Sequence, residues 1–269
     1  HQRVRRQRQM CIRDRPGGCA IGSRPVNYHL TALEKLGAEI SLNNGYIEAK
    51  AKKLIGADIE FKGVTVTGTE NLMMAATLAE GVTTLTNVAK EPEISDLADF
   101  LNSMGANISG AGTDKIRIEG VKELIGTTFK IPADRIEAGT YLVAGALTNG
   151  KITINKIDPS RMGAIIETLQ KAGAEINSND NSISLDMKNN AIKPVDIITA
   201  PFPGFPTDMQ AQFTVLNCIG HGESFVKETI FENRFMHVQE LNRMGTDITI
   251  NGTTALINGV DSISGAQVM

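Results

Sequence analysis

The chain has 269 residues, 41% of them hydrophobic and 21% charged, with a formal net charge of −3. That length suits one large domain or two ordinary ones with a sizeable core, and the near-neutral balance excludes a general pull toward nucleic acid or anionic membrane. No apolar run reaches the roughly 18 residues a membrane span needs, and three scattered cysteines (Cys11, Cys19, Cys218) form neither a metal pattern nor a disulfide framework, so a reduced, cytoplasmic setting without signal peptide or cofactor metal is expected.

In chain order, residues 1–15 come first, with six arginines against one aspartate. The composition breaks at Pro16, so this opening is expected to be a foreign or disordered basic segment. A nucleic-acid arm would need aromatic residues between the charges, and there are none. "PGGCAIGSRPVNYH" follows and places Cys19 between glycines, with Arg24 five residues on. By pattern, Cys19 is either a small apolar core residue or an exposed thiol that the arginine favours as thiolate.

From there the chain repeats. "ALEKLGAEISLNNGYIEAK", "FLNSMGANISGAGTDKIRIEG", "TLQKAGAEINSNDNSISLDM" and "ELNRMGTDITINGTTALINGV" align on Gly37, Gly105, Gly173 and Gly245, spaced by 68, 68 and 72 residues. Each predicts a helix closed by a left-handed glycine and then a hairpin with an Asn/Gly/Asp turn. Between them, "TENLMMAATLAEGVTTLTNV", "DRIEAGTYLVAGALTNGKITINKI" and "PTDMQAQFTVLNCIGHGESFVKET" predict an apolar helix, a glycine and a strand. Preceding strands are expected at "GVTVTG", "TTFKIPA" and "VDIITAP". The unit is therefore β-α-β-α-β-β, an α/β (α+β repeat) architecture. The chain starts inside one unit and stops inside another, which predicts a protein truncated at both ends.

Several positions carry chemistry by pattern. Val64–Gly68 is expected at a strand end before a helix, where backbone N–H groups suit a diphosphate. Asp208, just after Pro206, is a helix-start carboxylate, by default serving the helix dipole. Arg24 is either a solvated surface cation or a two-donor anion grip, and Arg234 is by default a helix-start salt bridge. Cys218, on an apolar helix, is expected in the core; His29, His221 and His237 show no triad or metal spacing and are assigned no role.

"PGGCAIGSRPVNYH", "EGVTTLTNVAKEPEISDLADFLNSMGANISG", "FPTDMQAQFT" and "ENRFMHVQELNRMG" closely resemble the UDP-N-acetylglucosamine 1-carboxyvinyltransferase family, over Pro16 to Met269. The resemblance implies a two-lobed enolpyruvyl transferase fold, with residues 16–132 in a partial first lobe and 133–269 in a partial second. It implies transfer of the enolpyruvyl group of phosphoenolpyruvate to the 3-hydroxyl of UDP-N-acetylglucosamine, with release of phosphate, as the first committed step of peptidoglycan synthesis. Those two small molecules would be the partners, with no cofactor, nucleic acid or membrane. Cys19 would be the lid-loop thiol alkylated by fosfomycin, able either to add to C2 of phosphoenolpyruvate or to serve as the acid that protonates its methylene carbon. Asp208 would be the general base at the sugar hydroxyl. Arg24 would face the substrates, and Pro25, Val26, Asn27 and Tyr28 would line the uridine pocket, with Asn27 where many relatives carry aspartate. Val66, Thr67 and Gly68 would meet the diphosphate, Ile230 the uridyl sugar, and Arg234 the phosphoenolpyruvate pocket. The family's N-terminal Lys-Asn pair, an early arginine, an Asp-x-Arg step and a later arginine have no counterpart in this sequence, so little or no turnover is expected of the chain as written. The related shikimate-pathway transferases and a non-catalytic repeat scaffold are the competing expectations.

Overall fold

A computed structural model describes residues 12–14, 26–44 and 46–268. These fall into two compact units, one running to Lys130 and one starting at Ile131. The first contains β1 (Ile12–Asp14), α1 (Asn27–Lys35), β2 (Glu39–Asn43), β3 (Tyr46–Lys50), β4 (Asp58–Glu60), α2 (Val66–Ala76), β5 (Val82–Thr86), α3 (Pro92–Ser103), β6 (Asn107–Ser109) and β7 (Lys115–Glu119). Its sheets have the orders β1-β3-β2 and β4-β5-β7-β6. β1 lies within the basic opening and pairs antiparallel with β3, Ile12 opposite Glu48.

The second unit contains α4 (Arg135–Leu147), β8 (Lys151–Asn155), a 3-10 turn (Pro159–Met162) leading into α5 (Gly163–Lys171), β9 (Glu175–Asn179), β10 (Ser182–Asp186) and β11 (Ile197–Ile198). A second 3-10 turn (Thr207–Met209) leads into α6 (Gln210–Cys218), followed by β12 (Glu223–Lys227), α7 (Met236–Arg243), β13 (Asp247–Asn251) and β14 (Thr254–Asn258). Its sheets have the orders β8-β10-β9 and β11-β12-β14-β13. The crossover pairs, β4 with β5 and β11 with β12, are parallel, and the hairpin pairs are antiparallel. Both four-stranded sheets thus complete the β-α-β-α-β-β unit read from the sequence.

The repeat recurs at the level of single hydrogen bonds. Gly37, Gly105, Gly173 and Gly245 all sit at φ between +93° and +105°, the left-handed region that a Cβ disfavours. Each follows its helix in a Schellman turn, in which the next residue's N–H reaches back to the third-last helical carbonyl. The four bonds, Ala38 to Leu33, Ala106 to Leu101, Ala174 to Leu169 and Thr246 to Leu241, span 3.0–3.3 Å. In two units the helix also grips the following strand. The Asn102 amide both donates to and accepts from the backbone of Ile108, and Asn242 does the same with Ile248.

Each unit has its own core. In the first, Leu72 and Met73 of α2 meet Leu85, Ile94, Ile116 and Ile118. In the second, Leu142, Met209, Phe213 and Leu216 meet Val226, Ile248 and Ile257. Phe213 is fully buried and takes the Phe205 ring edge-on at 5.0 Å, a favoured aromatic geometry. No described helix is long and apolar enough to cross a membrane.

Two strand expectations are corrected. "GVTVTG" is not a strand: Val66–Gly68 is the first turn of α2, because the Thr65 hydroxyl accepts the Gly68 N–H at 3.2 Å and caps the helix there. The strand of that unit lies upstream, at Asp58–Glu60. "TTFKIPA" forms no strand either. Its β-branched residues find no sheet edge, and its Phe129 instead packs on Phe100 with ring centroids 5.0 Å apart.

Candidate functional site

In the first unit, α1 and α2 pack side by side and bring two predicted segments together. Val26 is the residue before α1, and Asn27 and Tyr28 form its first turn. The Tyr28 hydroxyl lies 3.0 Å from where a Cβ on Gly63 would stand, so only glycine fits beneath that ring without a shift. Between the segments sits His29, which carried no assigned role. Asn71 Nδ2 lies 2.8 Å from His29 Nδ1, and Thr67 Oγ1 lies 3.5 Å from Nε2. An amide nitrogen only donates, so Nδ1 accepts and the ring proton sits on Nε2, facing the Thr67 hydroxyl. Burial lowers the His29 pKa and favours that neutral ring. The result is the N-terminus of an eleven-residue helix with Val66, Thr67 and Gly68 in its first turn. The Thr65 hydroxyl takes the Gly68 N–H; the N–H groups of Val66 and Thr67 have no carbonyl partner within the helix, and with the partial positive charge of the terminus they suit an anion. Cys19, Arg24 and Pro25 lie outside the described residues.

In the second unit, Asp208 and Arg234 meet. Asp208 lies in the 3-10 turn that opens α6, and Arg234 precedes α7. Arg234 Nη2 donates to Asp208 Oδ1 at 2.7 Å; the arginine side chain is 18% exposed and the aspartate 59%. The Arg234 guanidinium also lies 5.3 Å from the centroid of the Phe231 ring, a cation–π contact that holds its plane. The carboxylate therefore keeps an open face while a largely buried cation fixes its orientation. The N–H of Ile230 donates to Glu228 Oε1 at 2.8 Å, so a backbone contact from Ile230 to a sugar would use its carbonyl.

His237 lies beside this pair. Burial lowers its pKa first and the Arg234 charge second, against a hydrogen bond from the ring to the Arg234 backbone carbonyl, which raises it. Cys218 is fully buried at the end of α6, and burial pushes its thiol up to about 11 against an opposing hydrogen bond with Thr246. It is a core residue, and its thiolate is strongly disfavoured. Among the described residues no group of three or more His, Cys, Asp or Glu could hold a metal ion.

The family model described as EPSP synthase (3-phosphoshikimate 1-carboxyvinyltransferase) matches residues 9–269. The chain belongs to the EPSP synthase family. Within that family its curated relatives are named UDP-N-acetylglucosamine 1-carboxyvinyltransferase. The one from Hydrogenovibrio crunogenus is 58% identical over 94% of this chain and 61% of its own length. Those from Ruthia magnifica and Coxiella burnetii are 59% and 55% identical, covering 61% and 59% of their lengths. The chain thus spans about three fifths of the relatives it matches. Among solved structures, the enolpyruvyl transferase NikO from Streptomyces tendae superposes with TM-score 0.79 at 21% identity, over 88% of this chain and 59% of its own. EPSP synthase from Acinetobacter baumannii superposes with TM-score 0.62 at 20% identity, over 88% and 57%. The fold is that of the enolpyruvyl transferases.

Proposed function

We propose that this protein belongs to the machinery that moves the enolpyruvyl group of phosphoenolpyruvate onto the 3-hydroxyl of UDP-N-acetylglucosamine, releasing phosphate, in the cytoplasm. The observation that carries the proposal is the 55–59% identity over 94% of the chain to relatives bearing that activity in their name. In this reading residues 16–132 and 133–269 are the two partial lobes. Asp208, oriented by Arg234, accepts the proton of the sugar hydroxyl as its oxygen attacks C2, and Cys19 delivers a proton to C3. Loss of phosphate and of one C3 proton then restores the double bond. Val66, Thr67 and Gly68 take the diphosphate at the start of α2. Arg24, Pro25, Val26, Asn27 and Tyr28 line the nucleotide, Ile230 meets its sugar, and Arg234 borders the phosphoenolpyruvate site.

Calorimetric titration of the full chain with UDP-N-acetylglucosamine and, separately, with shikimate 3-phosphate tests the substrate class. Saturable binding of the nucleotide sugar alone is expected. Binding of shikimate 3-phosphate in its place would overturn the assignment in favour of the shikimate-pathway chemistry, and binding of neither would favour a scaffold. Phosphate release on adding phosphoenolpyruvate measures separately how much turnover the chain supports.

A further inference from the structure

Glu228 is a buried carboxylate that the chemistry above does not use. It is 2% exposed and directly follows β12, where its N–H donates to the Thr253 carbonyl at 2.8 Å. Four donors converge on it. Oε1 accepts the Thr199 hydroxyl at 2.9 Å and the N–H groups of Ile230 at 2.8 Å and Phe231 at 3.2 Å. Oε2 accepts the Thr207 hydroxyl at 2.9 Å. Thr207 adjoins Asp208, and Phe231 carries the Arg234 guanidinium. One carboxylate therefore ties both partners of the Asp208–Arg234 pair to the same strand end.

The repeat shows that the scaffold does not require this arrangement. Aligned on the glycine before the strand, the matching residues are Asn87 after β5 and Lys156 after β8. Both have left-handed backbones, φ 55° and 62°, whereas Glu228 does not. Asn87 uses its amide to hold the Phe61 carbonyl at 2.7 Å, and Lys156 keeps only the backbone bond, to Asn181 at 2.8 Å. Removing a carboxylate from water is costly unless every oxygen finds donors. The fold carries that cost once among three equivalent positions, beside the acidic residue proposed to act on substrate.

We infer that Glu228 is a positioning residue: through Thr207 on one side and the Ile230–Phe231 backbone on the other, it sets the geometry in which Asp208 meets Arg234. The link to catalysis rests on the proposed transferase reaction; the geometric claim does not.

The test uses the full chain and two readouts, the guanidinium ¹H–¹⁵N signals of Arg234 by NMR and the affinity for UDP-N-acetylglucosamine. Asp208→Asn provides the reference for an unpaired Arg234. Thr207→Val keeps the side-chain volume and removes the hydroxyl; Thr207→Ser keeps the hydroxyl and loses the methyl. Thr229→Val deletes a neighbouring bond, from the Thr229 hydroxyl to the Thr199 carbonyl at 2.6 Å, without touching Glu228. Glu228→Met removes all four contacts.

Thr207→Val and Glu228→Met are expected to give the Asp208→Asn signature and to weaken nucleotide-sugar binding at least tenfold. Thr207→Ser and Thr229→Val should retain the wild-type signals and affinity. A packing role alone would reverse the order of the two Thr207 variants, and that result would overturn the inference, as would an unchanged Arg234 signature in Thr207→Val. If Glu228→Met does not fold, the Thr207 pair decides. If the wild-type chain binds no nucleotide sugar, the transferase reading fails while the Arg234 signals still decide the role of Glu228.

Discussion

On the proposed function, neutralising Asp208 should cost the fold little and nucleotide-sugar binding a great deal. Its carboxylate is 59% exposed while Arg234 is 18% exposed, so the pair is neither a free surface contact nor a buried one. Solvent screening of the carboxylate keeps the expected coupling near the upper end for exposed pairs, about 1 kcal/mol. In a double-mutant cycle of Asp208→Asn with Arg234→Met, that is a shift of about 2–4 °C in melting for a protein of this size. A hydrogen bond from a sugar hydroxyl to a charged carboxylate is worth about 1.5–3 kcal/mol. Asp208→Asn should therefore weaken UDP-N-acetylglucosamine binding by about ten- to a hundredfold, at 1.4 kcal/mol per decade. Urea unfolding followed on methyl signals of the second unit gives the stability arm, and calorimetry gives the affinity arm. A stability loss above about 3 kcal/mol would mark Asp208 as part of the scaffold, in the range seen when a buried pair is broken. Unchanged affinity would remove it from the binding site.

Three further outcomes follow from the geometry. Phe213→Ala, which empties a fully buried ring site facing Phe205, should destabilise the second unit by about 3–5 kcal/mol in the same urea experiment, with the methyl signals of the first unit unmoved. His29 and His237 both have pKa values lowered on folding, so the unfolded chain takes up their protons first. Stability should be level above about pH 6.5 and fall as the pH drops below it, and a His29→Gln, His237→Gln variant should flatten the melting curve between pH 6.5 and 5.5. Cys218, with its thiol at about 11 and no exposure, should resist maleimide at pH 7 in the folded chain and react once urea unfolds the second unit, as read by mass spectrometry.

The repeated parts of this fold were legible because each rests on a local signal. A glycine at a left-handed helix end, an Asn-rich hairpin turn and an apolar stripe all act within a few residues, and all four glycine ends are where the spacing put them. Of the two failures, one had a non-local cause and the other a local one. "TTFKIPA" has strand composition, but a strand also needs a partner edge, and sequence does not show that none is offered. "GVTVTG" reads as β-branched alternation, yet the Thr65 cap decides for helix. At the candidate site, Asp208 and Arg234 stood out as charges in a distinctive motif, and the structure brings them within 2.7 Å. His29 and Glu228 were missed because their partners, Asn71 and Thr207, are 42 and 21 residues away. One signal for Glu228 was present all along: at its place the other two repeats carry Asn87 and Lys156, a change of charge without a change of strand.

The two asparagine latches have a kinetic meaning. Asn102 and Asn242 each bind the backbone of a residue only six positions ahead, so helix and strand are joined before any distant segment is needed. Closing so short a loop carries a small entropy cost, and contacts of low sequence separation form early. A chain made of such modules can begin to organise at several places at once and as it leaves the ribosome, each helix–hairpin piece settling locally before the layers come together.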